Sequence, residues 1–199
     1  MTADSLTCFG YGSLVNAATL APDSLSAPVL VTGWRRAWRH SGETAYGRRC
    51  TLTVVPDPDC VILGAALLVP AGALAALDRR EAQYRRVPLA AEDVDWRDGR
   101  PDGWPDPFLY VGQENYARAG DADHPILLSY LDVVIAGFRR MFGEEGVAHF
   151  AATTADWHVP VLNDRAAPRY PRAVLVSEFE RAAVDRLVAD HAVSVIAIA

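Results

Sequence analysis

Short apolar segments with the composition of β-strands occupy the first 115 residues of the chain. Cys50–Val55 alternates between two faces, as in a half-buried strand, whereas Val61–Val69 is apolar nearly throughout, as in a central strand that is covered on both sides. Pro56–Asp59 lies between them and predicts a turn. The predicted strands are Leu6–Tyr11, Val29–His40 with a break at Gly33, Cys50–Val55, Val61–Val69, Tyr84–Leu89 and Phe108–Val111.

Helical spacing of apolar residues begins with an alanine-rich segment and returns in the second half of the chain. The predicted helices are Ala71–Glu81, Ile126–Phe142, Glu144–Thr153 and Ser177–Ala192, and Asn16 is a plausible N-cap of a short helix through Leu20. Ser177 and Glu180 have the spacing of a capping box. Glu81 lies at the C-terminal end of its helix, where the helix dipole disfavours an acid and raises its pKa.

This order of elements, strands first and helices afterwards, predicts an α+β fold with an antiparallel or mixed sheet. Regular alternation of strands and helices is missing, which argues against a doubly wound fold. A length of 199 residues suits one domain. We expect residues 1–115 to form its core and residues 116–199 to form a helical extension packed on that core.

The net charge of −6 argues against nucleic acid and against an anionic membrane surface as partners. No apolar stretch approaches the ~18 residues that a membrane-spanning helix needs. The first residues carry Asp4 and no cationic segment, so no secretory signal is expected. Three cysteines without a C-x-x-C pair suit reduced thiols and predict a cytoplasmic protein. The sequence leaves the oligomeric state open.

All 19 basic residues are arginines, and the absence of lysine excludes a P-loop ATPase, a Schiff-base enzyme and a lysine general base. The five histidines are scattered and form no metal-binding motif, so no metal and no cofactor is expected.

Two motifs carry the candidate chemistry. The first strand runs into Phe9-Gly10-Tyr11-Gly12-Ser13-Leu14, where two glycines allow a sharp turn that approaches a ligand closely. Leu77-Asp78-Arg79-Arg80-Glu81, followed by Tyr84, ends the alanine-rich helix in a single acid. A turn of this kind supplies a fixed row of backbone N–H donors, and the acid supplies a general base.

These motifs resemble the γ-glutamylcyclotransferase-like superfamily, in particular its bacterial and ChaC-like branch. The resemblance implies a small, partly closed mixed β-barrel flanked by helices, with a pocket at its mouth. It implies that the backbone of Tyr11, Gly12, Ser13 and Leu14 binds the γ-glutamyl part of a small-molecule substrate, that Glu81 is the catalytic acid/base and that 5-oxoproline is released. Tyr84 is assigned to the substrate-binding set, although packing explains it equally well.

Other interpretations remain open. Judged by its local sequence alone, Glu81 is more typical of a solvated helix end, and only its pairing with the glycine turn favours catalysis. Ser13 lacks the G-x-S-x-G context of a nucleophile. The same fold could hydrolyse its substrate, or could serve as a non-catalytic binding or regulatory module.

Neither the arginines nor the loop at residues 154–172 indicates which residues contact the leaving group of the substrate. For any one of the arginines that could clamp a carboxylate, a surface role is the better expectation; these are Arg48, Arg49, Arg85, Arg86 and Arg169. Residues 154–172, rich in proline and aromatics, suit either a lid over the pocket or a support away from it. In the lid hypothesis, Trp157, His158 or Tyr170 shape the leaving-group side.

Overall fold

A computed structural model describes residues 5–44, 47–192 and 194–197. Its strands are β1 (Ser5–Gly10), β2 (Leu25–Thr44), β3 (Gly47–Pro70), β4 (Tyr84–Pro88), β5 (Val94–Trp96), β6 (Pro107–Gly112), β7 (Ile126–Leu127), β8 (Thr154–Ala155), β9 (Val161–Asn163) and β10 (Val195–Ala197). Its helices are α1 (Ala71–Arg80), α2 (Leu128–Ala152) and α3 (Glu178–His191).

The long antiparallel hairpin of β2 and β3 is the framework of the sheet. The register between the two strands shifts twice: Thr32 pairs with Val61 while Trp34 pairs with Pro56, and Ala37 pairs with Thr53 while His40 pairs with Thr51. The extra residues of β3 form an irregularity opposite Gly33, which has a positive φ of 88°. The turn predicted at Pro56–Asp59 is therefore wrong: the two prolines lie at a bulge, where a strand needs no donor from them.

The sheet is mixed, and helices flank it. Neighbouring strands of its main path follow the order β10-β9-β7-β3-β1-β6-β4. β2 pairs with β3 and, along its other edge, with β5 and β8. β1 is antiparallel to β3 and parallel to β6. The α+β class is confirmed, but the barrel is not closed: across the described residues, β4 pairs with β6 alone and does not meet β2.

The helices follow the sequence pattern closely. Ser177 and Glu180 form the predicted capping box at the start of α3. The two helices predicted around position 143 are continuous in α2 apart from a kink at Gly143, whose φ of 68° and ψ of −161° are not helical. No helix in the described ranges is both long and apolar enough to cross a membrane.

Residues after 115 contribute strands as well as helices, which the sequence pattern did not indicate. β7 joins β3 to β9, and β9 pairs in parallel with β10. The first half of α2 is buried along nearly its whole length, from Leu128 to Phe138. The C-terminal part is thus inserted into the same sheet and core as the N-terminal part.

Candidate functional site

The turn after β1 is stabilised by main-chain and side-chain hydrogen bonds. Residues Ser13–Val15 form a 3₁₀ turn, in which the Val15 N–H donates to the Gly12 carbonyl over 3.0 Å. Asn16 caps the following turn and donates from Nδ2 to the Val133 carbonyl of α2 over 2.8 Å. No acceptor in the described chain takes the N–H groups of Gly12, Ser13 and Leu14, as expected at the start of a helical turn.

The side chain of Arg36 holds Tyr11, the first residue of this turn, by a hydrogen bond. It is fully buried in β2, and its Nε donates to the Tyr11 carbonyl over 2.9 Å. The rest of the guanidinium bonds to Thr153 Oγ1 and the Leu63 carbonyl and lies 4.9 Å from the Phe138 ring centroid. Burial lowers the pKa of Arg36 to about 9, so it remains charged at neutral pH.

Glu81 lies where α1 ends, as the residue that caps it. Its side chain is 16 % exposed, and Oε1 lies 3.1 Å from Arg80 Nε. Burial raises the pKa of Glu81, and the charges of Arg80 and Arg172 offset part of that rise. The rise in the pKa of Glu81 that its position at the helix end predicted is confirmed, but desolvation is the largest cause of that rise.

The turn and the acid line one recess. An open cavity of about 250 Å³ is bordered by Ser13, Glu81, Tyr84 and Tyr130, and these four residues also border a smaller inner recess. The remaining residues of the inner recess are Phe9, Tyr11, Gly12, Leu14, Leu52 and Tyr110. The structure therefore brings together every residue of the predicted site.

Tyr84 and His40 form one wall of the cavity. The Tyr84 hydroxyl donates to the Leu52 carbonyl over 2.8 Å and lies 2.9 Å from Thr51 Oγ1, and its ring stacks on His40 at 4.1 Å between centroids. Burial lowers the pKa of His40 to about 4, so the imidazole is neutral at pH 7. Sequence reasoning missed His40, since nothing in its spacing distinguishes it from a core histidine.

Part of the segment 154–172 reaches the cavity. Tyr170 and Arg172 line it, whereas Trp157 packs on Trp38 at 5.5 Å between ring centroids. Asp164 ties the segment to the core, because its buried carboxylate accepts from Ser129 N over 2.8 Å, from Ser129 Oγ over 2.6 Å and from the N–H of Arg169.

Other groups near the site are poorly suited to chemistry of their own. Burial, together with the charge of Glu81, raises the pKa of Cys8, so this thiol is a weak nucleophile. Within the described ranges, no group of three histidine, cysteine or acidic side chains is arranged to hold a metal ion. Glu81 is the one carboxylate among the lining residues of the described chain.

Comparison with known proteins finds similarity at the level of the fold. No family model matches the sequence, and no curated protein matches it significantly. A solved γ-glutamyl cyclotransferase superposes with a TM-score of 0.59 at 15% identity, over 92% of this chain and 99% of the other. An uncharacterised human protein gives 0.61 at 16% identity, over 92% and 99%, and YkqA of Bacillus subtilis gives 0.53 at 17% identity, over 76% and 56%.

The fold is that of γ-glutamyl cyclotransferases, as the resemblance of the sequence predicted. A match over 92% of this chain includes most of the residues after 115.

Proposed function

We propose that this protein is a γ-glutamyl cyclotransferase, which converts a γ-glutamyl amide or peptide into 5-oxoproline and a free amine or amino acid. The observation that carries the proposal is that Glu81 and the turn Tyr11-Gly12-Ser13-Leu14 border the same recess. A fold shared with a solved γ-glutamyl cyclotransferase supports it. We further propose that the protein acts in the cytoplasm, which suits its three cysteines, all buried and free.

The reaction needs little from the enzyme beyond positioning and proton transfer. In a γ-glutamyl compound, the α-amine attacks the γ-carbonyl carbon, a five-membered lactam closes, and the bond from that carbon to the amide nitrogen breaks. Because the nucleophile belongs to the substrate, holding the glutamyl chain bent supplies much of the acceleration. The amides of Gly12, Ser13 and Leu14 are the donors that would anchor it or stabilise the developing oxyanion, at about 2.7–4 kcal/mol for an oxyanion donor.

Glu81 is suited to move the proton. As a carboxylate, it accepts a proton from the α-ammonium group, which frees the α-amine to attack; as a carboxylic acid, it returns that proton to the departing nitrogen. The raised pKa makes the carboxylate a stronger base for the first step and keeps the proton on Glu81 until the departing nitrogen takes it. Arg80 keeps the ionised form accessible for the first step.

Glu81→Gln tests the assignment. The change keeps the shape of the side chain but removes its basicity, and general acid–base catalysis typically contributes ~10²–10⁴ in rate. We expect loss of 5-oxoproline release of that size, measured by chromatography over a panel of γ-glutamyl amino acids and amines. Glu92→Gln, at an exposed position away from the cavity, is the matched control.

Three results would oppose the proposal. Equal 5-oxoproline release by wild type and Glu81→Gln would remove Glu81 from the chemistry. Free glutamate in place of 5-oxoproline would identify a hydrolase on the same fold. Binding without turnover of any compound would favour a non-catalytic module.

A further inference from the structure

Three arginines line the cavity, although the protein as a whole is acidic. Arg49, Arg80 and Arg172 line it, and Glu81 is the one carboxylate in its described lining, while the chain carries a net charge of −6. His40, the lining histidine, is neutral at pH 7 because burial lowers its pKa to about 4. The described lining of this cavity of about 250 Å³ is therefore richer in basic than in acidic side chains.

The three arginines are divided between two sides of the cavity. Arg80 belongs to the side of the glycine turn, since its guanidinium lies 3.3 Å from Ser13 Oγ and donates to the Thr19 carbonyl over 3.0 Å. Arg49 and Arg172 line the outer cavity and do not border the inner recess of Tyr11, Gly12 and Glu81.

Arg49 and Arg172 come from separate elements and line the same cavity. Arg49 is in β3, and Arg172 is the last residue of the segment 154–172, which Asp164 ties to the core. Burial is the largest cause of the lowered pKa of Arg49, and the like charge of Arg172 contributes to it, so the two guanidinium groups repel each other. An anion held between two guanidinium groups would relieve this repulsion.

The proposed reaction indicates which anion this is. The glutamyl half of any substrate carries one α-ammonium and one α-carboxylate group, which balance. A γ-glutamyl amine brings no further charge, whereas a γ-glutamyl amino acid or peptide carries a second carboxylate on its leaving group. With the glutamyl half at the turn, the leaving group extends into the outer cavity.

We propose that Arg172, together with Arg49, binds the carboxylate of the leaving group, so that γ-glutamyl amino acids and peptides are preferred over γ-glutamyl amines. This inference rests on the proposed function. Both arginines are specificity-determining residues, and neither takes part in the proton transfer.

A matched pair of substrates tests the inference: γ-glutamyl-alanine and γ-glutamyl-alaninamide differ in the charge of one terminal group. We expect wild type to favour the acid by about tenfold or more in kcat/KM, as charge-assisted hydrogen bonds of this kind give. Arg172→Gln should reduce this ratio to near one. The ratio is the informative quantity, because loss of Arg172 also changes the pKa of Glu81 and so affects both substrates.

Arg169→Gln is the control, since Arg169 is exposed, lies three positions away and does not line the cavity. It should keep the ratio of wild type. Equal use of the two substrates by wild type, or an unchanged ratio in Arg172→Gln, would overturn the carboxylate site and leave the cyclotransferase proposal standing. Release of 5-oxoproline from no compound would instead refute the proposed function.

Binding gives a readout that does not need turnover. In the Glu81→Gln background, titration calorimetry should show tighter binding of γ-glutamyl-alanine than of its amide. Adding Arg172→Gln should remove that difference. Equal affinities in Glu81→Gln would contradict the inference independently of catalysis.

Discussion

Replacing Arg36 with methionine tests whether the turn at the site depends on a buried cation. Arg36 is fully buried, and no carboxylate among the described residues pairs with it. Its donors go instead to the carbonyls of Tyr11 and Leu63 and to Thr153 Oγ1. Methionine fills a similar volume between the neighbouring aromatic rings but donates nothing.

The cost follows from the acceptors that are left behind. Thr153 keeps a hydrogen bond of 2.7 Å to the His149 carbonyl, so two buried carbonyls lose a partner. A buried unsatisfied group costs roughly 1–3 kcal/mol, and relief from burying a charge offsets part of the sum. We expect the free energy of unfolding to fall by about 3 kcal/mol, which lowers Tm by roughly 6–12 °C for a chain of this size.

Urea unfolding followed by tryptophan fluorescence measures the change. Arg35→Met is the control, because Arg35 is the next residue of the same strand but is 36% exposed and pairs with Asp57 at the surface. Such a pair contributes about 0–1 kcal/mol. A loss below about 0.5 kcal/mol in Arg36→Met, or equal losses in the two variants, would refute the reasoning.

Two further predictions concern titratable groups of the cavity. The pKa of Glu81 is raised, so its ionised form is less favourable in the folded protein than in the unfolded chain. Glu81→Gln should therefore unfold at a higher urea concentration than wild type at pH 7. This gain in stability should vanish in acid, where Glu81 of the wild type is protonated. Unchanged midpoints at pH 7 would contradict this. The pKa of His40 is lowered from 6.5 to about 4, so the fold is stabilised by the neutral form above pH 6.5. We expect the free energy of unfolding to fall by roughly 3 kcal/mol as the pH falls to 4. His40→Gln should flatten urea midpoints between pH 7 and 4, and an unaltered pH dependence would oppose the assignment.

Local signals in the sequence predicted the helices and their ends. The capping box of Ser177 and Glu180 is contained in four residues, so its formation depends little on the rest of the fold. The short strands β7–β10 were missed because two or three residues carry no periodic pattern, and their partners lie far away in the chain. Continuous β3 was predicted as two strands, since proline usually marks a turn.

Only part of the site could be predicted from the sequence, for a related reason. The glycine turn and Glu81 belong to motifs with internal spacing. His40, Arg172 and Tyr130 reach the same cavity from a hairpin, a loop and a helix, at separations that no local pattern encodes. The burial of Arg36 could not be predicted for another reason. Arg36 is adjacent to Arg35, and alternation along a strand does not reveal which of two consecutive arginines faces the core.

The expected signs of the stability changes separate two kinds of charged residue in the site. Arg36 is buried but has its donors satisfied, so its removal should weaken the fold. Glu81 is buried with its charge only partly compensated, so its neutralisation should strengthen the fold. A proton-transfer group needs a position of this kind, because burial brings the pKa of its carboxyl group towards neutrality. A folded, more stable and inactive Glu81→Gln protein beside a less stable Arg36→Met protein is the pattern that the proposed roles require.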